Sequence, residues 1–191
     1  MGRLKQLLPL GDRPAVRHCL EKIFAAGIDE VIIVLGSDGE KILPVCEGLT
    51  VKVAWNRIPE SDMAASLAAG LACVNETAEG VLVGLSDLPL VTAATITTIR
   101  EEYLNHPDSI IIPAFHGKRG HPNLFPRRCL AGIGAAITLR DVKLRYAGSV
   151  RTIDVPDEGI LLDMDTMDDY RVICDKFRER LQGGAAGGPA L

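Results

Sequence analysis

Three short segments of this 191-residue chain carry side chains suited to work on phosphate. The apolar run GVLVGL at 80–85 leads into SDLPLV, so Asp87 follows a stretch that reads as a strand and precedes the turn at Pro89. Open parallel sheets bind ligands at the carboxyl ends of their strands, and an aspartate there is placed to hold magnesium. Its ordinary role would be a helix N-cap, but it lies too early for the helix start marked by Thr92. DMDTMDDY at 163–170 supplies a second acidic cluster. Thr166 and Asp169 have the spacing of a helix start, where acidic groups complement the dipole, which leaves Asp163 and Asp165 as metal candidates. Two apart on extended chain, these two would face the same side.

Lys5, beside Gly2 and Arg3 in MGRLKQLLPL, would neutralise a triphosphate, because a point cation lowers the cost of building charge on transferring oxygens. A solvated lysine is the plainer alternative for that stretch alone. Asn56 follows the strand-like VKVAW and offers a donor and an acceptor to the edge of a base. Ser66 adds a hydroxyl, although the alanines around it describe close helix packing equally well. In HGKRGHPNLF, Gly120 and Pro122 fix the backbone around His121, whose imidazole would hydrogen-bond a phosphate or act as a base near neutral pH; a plain turn is the alternative.

The elements that must position these groups are legible as short Val- and Ile-rich runs at 31–36, 51–55, 80–85, 109–115 and 150–155. Runs apolar at nearly every position suit strands covered on both faces. Helical spacing appears at 14–26, 61–74, 92–105, 135–146 and 167–181. Such alternation predicts an α/β fold, a three-layer αβα arrangement around a mostly parallel, doubly wound, Rossmann-like sheet. The opening MGRLKQLLPL leaves no room for the usual first strand of such a sheet, which is therefore expected to be lacking. One domain is expected over 1–181, and the Gly- and Ala-rich residues 182–191 are expected to be a disordered tail.

Composition narrows the partners. A net charge of −4, with no basic block, argues against binding nucleic acid. Five scattered cysteines without a CxxC pair give neither a zinc site nor a disulfide framework. With no leader and no long apolar run, the expectation is a cytoplasmic protein off the membrane, acting on a small molecule.

In order, MGRLKQLLPL, Asn56 with DMAASLAAGL at 62–71, LSDLPLV at 85–91, RGHPNLF at 119–125 and DMDTMDDY resemble the MobA-like NTP transferase family of the nucleotide-diphospho-sugar transferase fold. The similarity is greatest to its molybdenum cofactor cytidylyltransferase branch. That resemblance implies that Gly2, Arg3, Lys5, Asn56 and Ser66 hold a nucleotide, and that Asp87 with Asp165 or Asp163 binds magnesium. It also implies that Gly120, His121 and Pro122 line the acceptor side, with Lys5 and Asp87 as the catalytic pair. The implied reaction is attack by an acceptor phosphate on the α-phosphorus of an NTP, CTP favoured and GTP second, with release of pyrophosphate. Molybdopterin is the leading acceptor, and a molybdoenzyme or its insertion chaperone a further partner. Sugar-phosphate or phospholactate nucleotidyl transfer, or a non-catalytic role in cofactor insertion, are the alternatives. The family's first strand and LAAGxSxR loop have no counterpart ahead of Lys5, so weak NTP binding is expected.

Overall fold

The computed structural model describes residues 4–58, 62–134 and 137–185. Its main strands, in chain order, are β1 (Val31–Leu35), β2 (Val51–Trp55), β3 (Gly80–Val83), β4 (Ile110–Phe115), β5 (Asn123–Pro126) and β6 (Val150–Asp154). The helices are α1 (Ala15–Ala25), α2 (Met63–Leu71), α3 (Ala93–Asn105), α4 (Leu139–Arg145) and α5 (Met167–Ala185). The expected α/β class is observed.

Two ladders are parallel, β1 with β2 and β4 with β6. A strand outside the five runs, β5 with the NLF segment, pairs antiparallel with both β3 and β4, so the second sheet is more mixed than the run pattern predicts. Among the described residues the β1–β2 pair shares no ladder with the sheet built on β4. Helix α1 spans the two: Ile23 packs against the cluster around Val31, Ile33 and Leu35 and also against that around Leu88, Val91 and Ile96.

Coverage on both faces explains why the strands are apolar at successive positions. Ile111 packs with Ile99 and Tyr103 of α3, whereas its neighbours Ile110 and Ile112 pack with Val142 of α4 and with Leu130. All three isoleucines are buried, so β4 is the centre of a three-layer arrangement.

Helix boundaries follow their caps. The Thr92 hydroxyl accepts from Thr95 N at the start of α3. Thr138 and Asp141 form a reciprocal capping box, so the helix expected from 135 begins at Leu139; 135–136 lie outside the described residues. At the C-terminal end α5 continues through Ala185, three residues past the expected start of the tail at Gln182. Glycine in a helix costs about 1 kcal/mol relative to alanine, a penalty that composition registers and that a helix already nucleated absorbs.

Candidate active site

The three segments that suggested phosphate chemistry converge, and Lys5 is where they meet. Leu7 N bonds to Leu4 O, winding Lys5–Leu7 into a single 3-10 turn that aims the lysine side chain inward. Its Nζ donates to Asp87 Oδ2 at 2.5 Å and to Asp165 Oδ1 at 2.8 Å, partners 82 and 160 positions away in the chain. Burial pulls the Lys5 amine downward, but the hydrogen bonds and charges of Asp165 and Asp87 outweigh it and hold the amine above its ordinary pKa. A solvated terminal lysine would have none of these partners.

Asp87 stands in the turn after β3 with a side chain 14% exposed, whereas Asp165 is 65% exposed. Met164, fully buried between the exposed Asp163 and Asp165, pins that segment by its side chain and leaves both carboxylates outward. The segment is a loop, not the strand assumed in the spacing argument, yet the alternation survives because one buried methionine fixes it. Asp163 lies within electrostatic reach: burial first, and then the charges of Asp165, Asp87 and Asp169, push its carboxyl above the usual range. The expected helix start is also present, with Thr166 N and Oγ1 both donating to Asp169 Oδ2.

These carboxylates fit a hard divalent cation. Asp87 Oδ1 is buried and has no hydrogen-bond partner among the described residues, which leaves an acceptor in reserve. Magnesium is held by one or two carboxylates together with substrate phosphates and water. Among the described residues no group of three or more His, Cys, Asp or Glu side chains stands where it could hold a metal ion.

Asn56 and Ser66 are brought together as well. Asn56 N extends the β1–β2 ladder by bonding to Leu35 O, and its Nδ2 donates to Ser66 Oγ at 2.9 Å. Ser66 sits one turn into α2, whose start is fixed by Asp62 accepting from Ala65 N. Gly2 and Arg3, expected beside the nucleotide, lie outside the described residues.

The GHP loop is held from below. Gly120 N bonds to Pro113 O and His121 N to Ile160 O. A Cβ on Gly120 would lie 2.3 Å from Ile160 O, so only glycine permits this approach. Gly120 and His121 line a cavity of about 420 Å³. Pro122 does not; it closes a narrow apolar crevice with Leu82 and Leu88. Burial first, then the charge of Lys143, lowers the His121 pKa, and Asp87 acts in the opposite direction, so the imidazole is within electrostatic reach of both a cation and the carboxylate site. The same cavity is lined by Arg119, Asn123, Arg140 and Lys143, which were not singled out in sequence. Their only signal there was a basic composition between Gly117 and Tyr146.

A family model, the MobA-like NTP transferase domain, matches residues 1–150. The chain is 30% identical over 144 residues to the bifunctional protein GlmU of Agrobacterium fabrum, covering 74% of this chain and 31% of that protein, so it spans about a third of the relative's length. It is 26% identical over 182 residues to the nicotine blue oxidoreductase of Paenarthrobacter nicotinovorans, covering 88% of this chain and 87% of that protein. The crystal structure of Rv0371c from Mycobacterium tuberculosis superposes with a TM-score of 0.80 at 30% identity, covering 92% of this chain and 90% of that one. A second structure of Rv0371c, in complex with manganese, gives a TM-score of 0.77. The extent of the family match, joined to this fold, places the chain in the MobA-like NTP transferase family.

Proposed function

We propose that this chain is a metal-dependent nucleotidyltransferase that moves a CMP group, with GMP as the second choice, from an NTP to a phosphorylated acceptor such as molybdopterin. The observation that carries the reading is the Lys5 ammonium held between Asp87 and Asp165 while Asp87 Oδ1 has no partner among the described residues. A cation and two carboxylates with unused lone pairs suit a triphosphate arriving with its own counter-ion. The cytidylyl preference and the molybdopterin acceptor rest on the order of the sequence motifs.

Asp87 and Asp165 would hold magnesium, with Asp163 beside them, and the bound ion would neutralise charge on the phosphate oxygens. Lys5 exchanges its carboxylate partners for phosphate oxygens when nucleotide enters, and Asn56 with Ser66 holds the nucleoside. An oxygen of the acceptor phosphate forms the new bond to the α-phosphorus. The bond from that phosphorus to the bridging oxygen breaks, and pyrophosphate carries away the electron pair. A phosphate nucleophile is already ionised, so the chain's contribution is placement and charge compensation and no strong base is required.

Pyrophosphate release with CTP, GTP or ATP, each paired with molybdopterin, a sugar 1-phosphate or phospholactate, tests the assignment. CTP with molybdopterin is expected to give the fastest release in magnesium. Turnover confined to a sugar phosphate or phospholactate would move the acceptor assignment, and no release from any pair, with no NTP binding by calorimetry, would remove the enzyme reading. The near full-length match to an oxidoreductase favours a second reading, redox turnover on the same scaffold, for which consumption of a reduced nicotinamide nucleotide is the parallel assay.

A further inference from the structure

The cavity beside the GHP loop has a charge pattern that the carboxylate site does not explain. Arg119, Arg140 and Lys143 line it, and among the described residues no acidic side chain does. None of the three forms an ion pair among the described residues, although most arginines and lysines elsewhere on the surface do. Arg140 and Lys143, three residues apart on α4, share one face of that helix. Arg119 is steadied by β6, where its Nε donates to Thr152 Oγ1 at 3.0 Å. Burial first, and then the charge of Arg119, lowers the Lys143 pKa, so the two cations lie within electrostatic reach of each other. Such an arrangement costs stability in the free protein and is relieved by a bound anion.

Asn123 adds a second, independent pointer. It is 1% exposed, its Nδ2 is engaged by Gly120 O at 2.7 Å, and its Oδ1 has no partner among the described residues. A buried amide oxygen on a cavity wall calls for a donor from whatever fills the cavity. His121 Nδ1, on the same wall, is likewise buried and unpartnered among the described residues.

Building on the nucleotidyltransferase reading, we propose that this cavity is the acceptor's recognition site: Arg119, Arg140 and Lys143 bind a phosphate of an organic phosphate ester, and Asn123 Oδ1 accepts a hydrogen bond from a hydroxyl or N–H on its carbon skeleton. His121 lines this cavity and lies within electrostatic reach of Asp87, so the anion site and the carboxylate site are electrostatically coupled. Specificity for the acceptor then comes from α4 and the GHP loop, and nucleotide affinity from Lys5, Asn56 and the aspartates.

Calorimetry on the full chain tests this with two probes, inorganic phosphate and ribose 5-phosphate, and separately with CTP in manganese. Both phosphate probes should bind the wild type, the sugar phosphate more tightly because it also has hydroxyls to donate. Lys143→Met and Arg140→Gln should each weaken both probes by about tenfold or more, the effect of one charge-assisted hydrogen bond, while CTP affinity stays within about twofold. In Asn123→Ser the advantage of ribose 5-phosphate over inorganic phosphate should vanish, with thermal melting used to confirm a folded chain. Unchanged phosphate binding in both α4 variants would overturn the proposal. So would a parallel loss of CTP affinity, which would give the cavity to the nucleotide's own phosphates. If the phosphate probes behave as expected and CTP does not bind at all, the nucleotidyltransferase reading fails while the anion site stands.

Discussion

Asp157 and Asp87 are both withdrawn from solvent, and their surroundings treat them differently. Asp157, 3% exposed, accepts hydrogen bonds from Thr92 N and Oγ1, Thr95 Oγ1, Gly159 N and Arg180 Nη2. It ties the start of α3 to the Glu158–Leu161 turn and to α5, and Arg180 is further anchored on Leu90 O. Asp87 has Lys5 on one oxygen and no partner among the described residues on the other. A carboxylate whose lone pairs are all occupied belongs to the fold, whereas one with lone pairs left over is reserved for something that arrives. On the proposed function the two aspartates separate stability from chemistry within one molecule, and substitutions at each should move different quantities.

The largest expected effect is on turnover. Asp87→Asn keeps the shape of the side chain and removes the charge that Lys5 and the proposed metal would share. Pyrophosphate release should fall by about 10³-fold, roughly 4 kcal/mol of lost transition-state stabilisation. The urea midpoint should move little, because the residue is a minor part of the packed core. A variant that retains its rate and loses stability instead would make Asp87 a structural residue like Asp157 and collapse the contrast.

Asp157→Asn is the converse case. It leaves the hydroxyls of Thr92 and Thr95 and the Arg180 guanidinium without their charged acceptor, and breaking such a buried network is expected to cost about 3 kcal/mol. Equilibrium urea unfolding reads this directly. The pH dependence gives it a signature. Burial pushes the Asp157 carboxyl upward, but the hydrogen bonds from Thr92, Thr95 and Gly159 outweigh burial and hold it below the usual carboxylate range. A depressed folded-state value contributes stability above the unfolded pKa of about 3.9, and that contribution is lost as pH falls through the lower folded value. The stability gap between wild type and Asp157→Asn should thus be flat from neutral pH to about pH 5 and should close below about pH 4. A gap that does not change with acid would mean that the carboxylate charge at 157 contributes nothing to the fold.

The candidate metal-site aspartates were more legible in the sequence than the structural one. Asp87 and the Asp163/Asp165 pair each follow closely on an apolar run, a local pattern with a direct meaning in α/β proteins. What the pattern does not contain is their convergence on Lys5, since partners 82 and 160 positions apart meet only through the fold. Asp157 sits in VPDEG, which reads as an ordinary turn, and its donors come from residues 92, 95 and 180. The basic cavity was equally hidden, because Arg119 and Lys143 become neighbours only when α4 packs beside the end of β4. Strand and helix identities were readable because two-sided burial writes itself into every position of a run such as SIIIPAF. The antiparallel entry of β5 was not, since a four-residue strand between prolines carries no sign of its direction.

The smallest effect tests whether the Asp157 node acts through hydroxyls or through packing. Thr92 Oγ1 accepts from Thr95 N as the N-cap of α3 and donates to Asp157 Oδ2 at 3.0 Å, so one oxygen closes both the helix end and the carboxylate's shell. Thr92→Ala removes both bonds and is expected to cost about 1 kcal/mol, typical of a lost cap. Thr92→Ser keeps the oxygen and gives up only a methyl group, and it should recover most of that loss in the same urea titration. Equal destabilisation by the two substitutions would place the contribution in the methyl group's contacts. In Asp157→Asn the Thr92→Ala penalty should shrink, because the two residues share a bond and their effects cannot add.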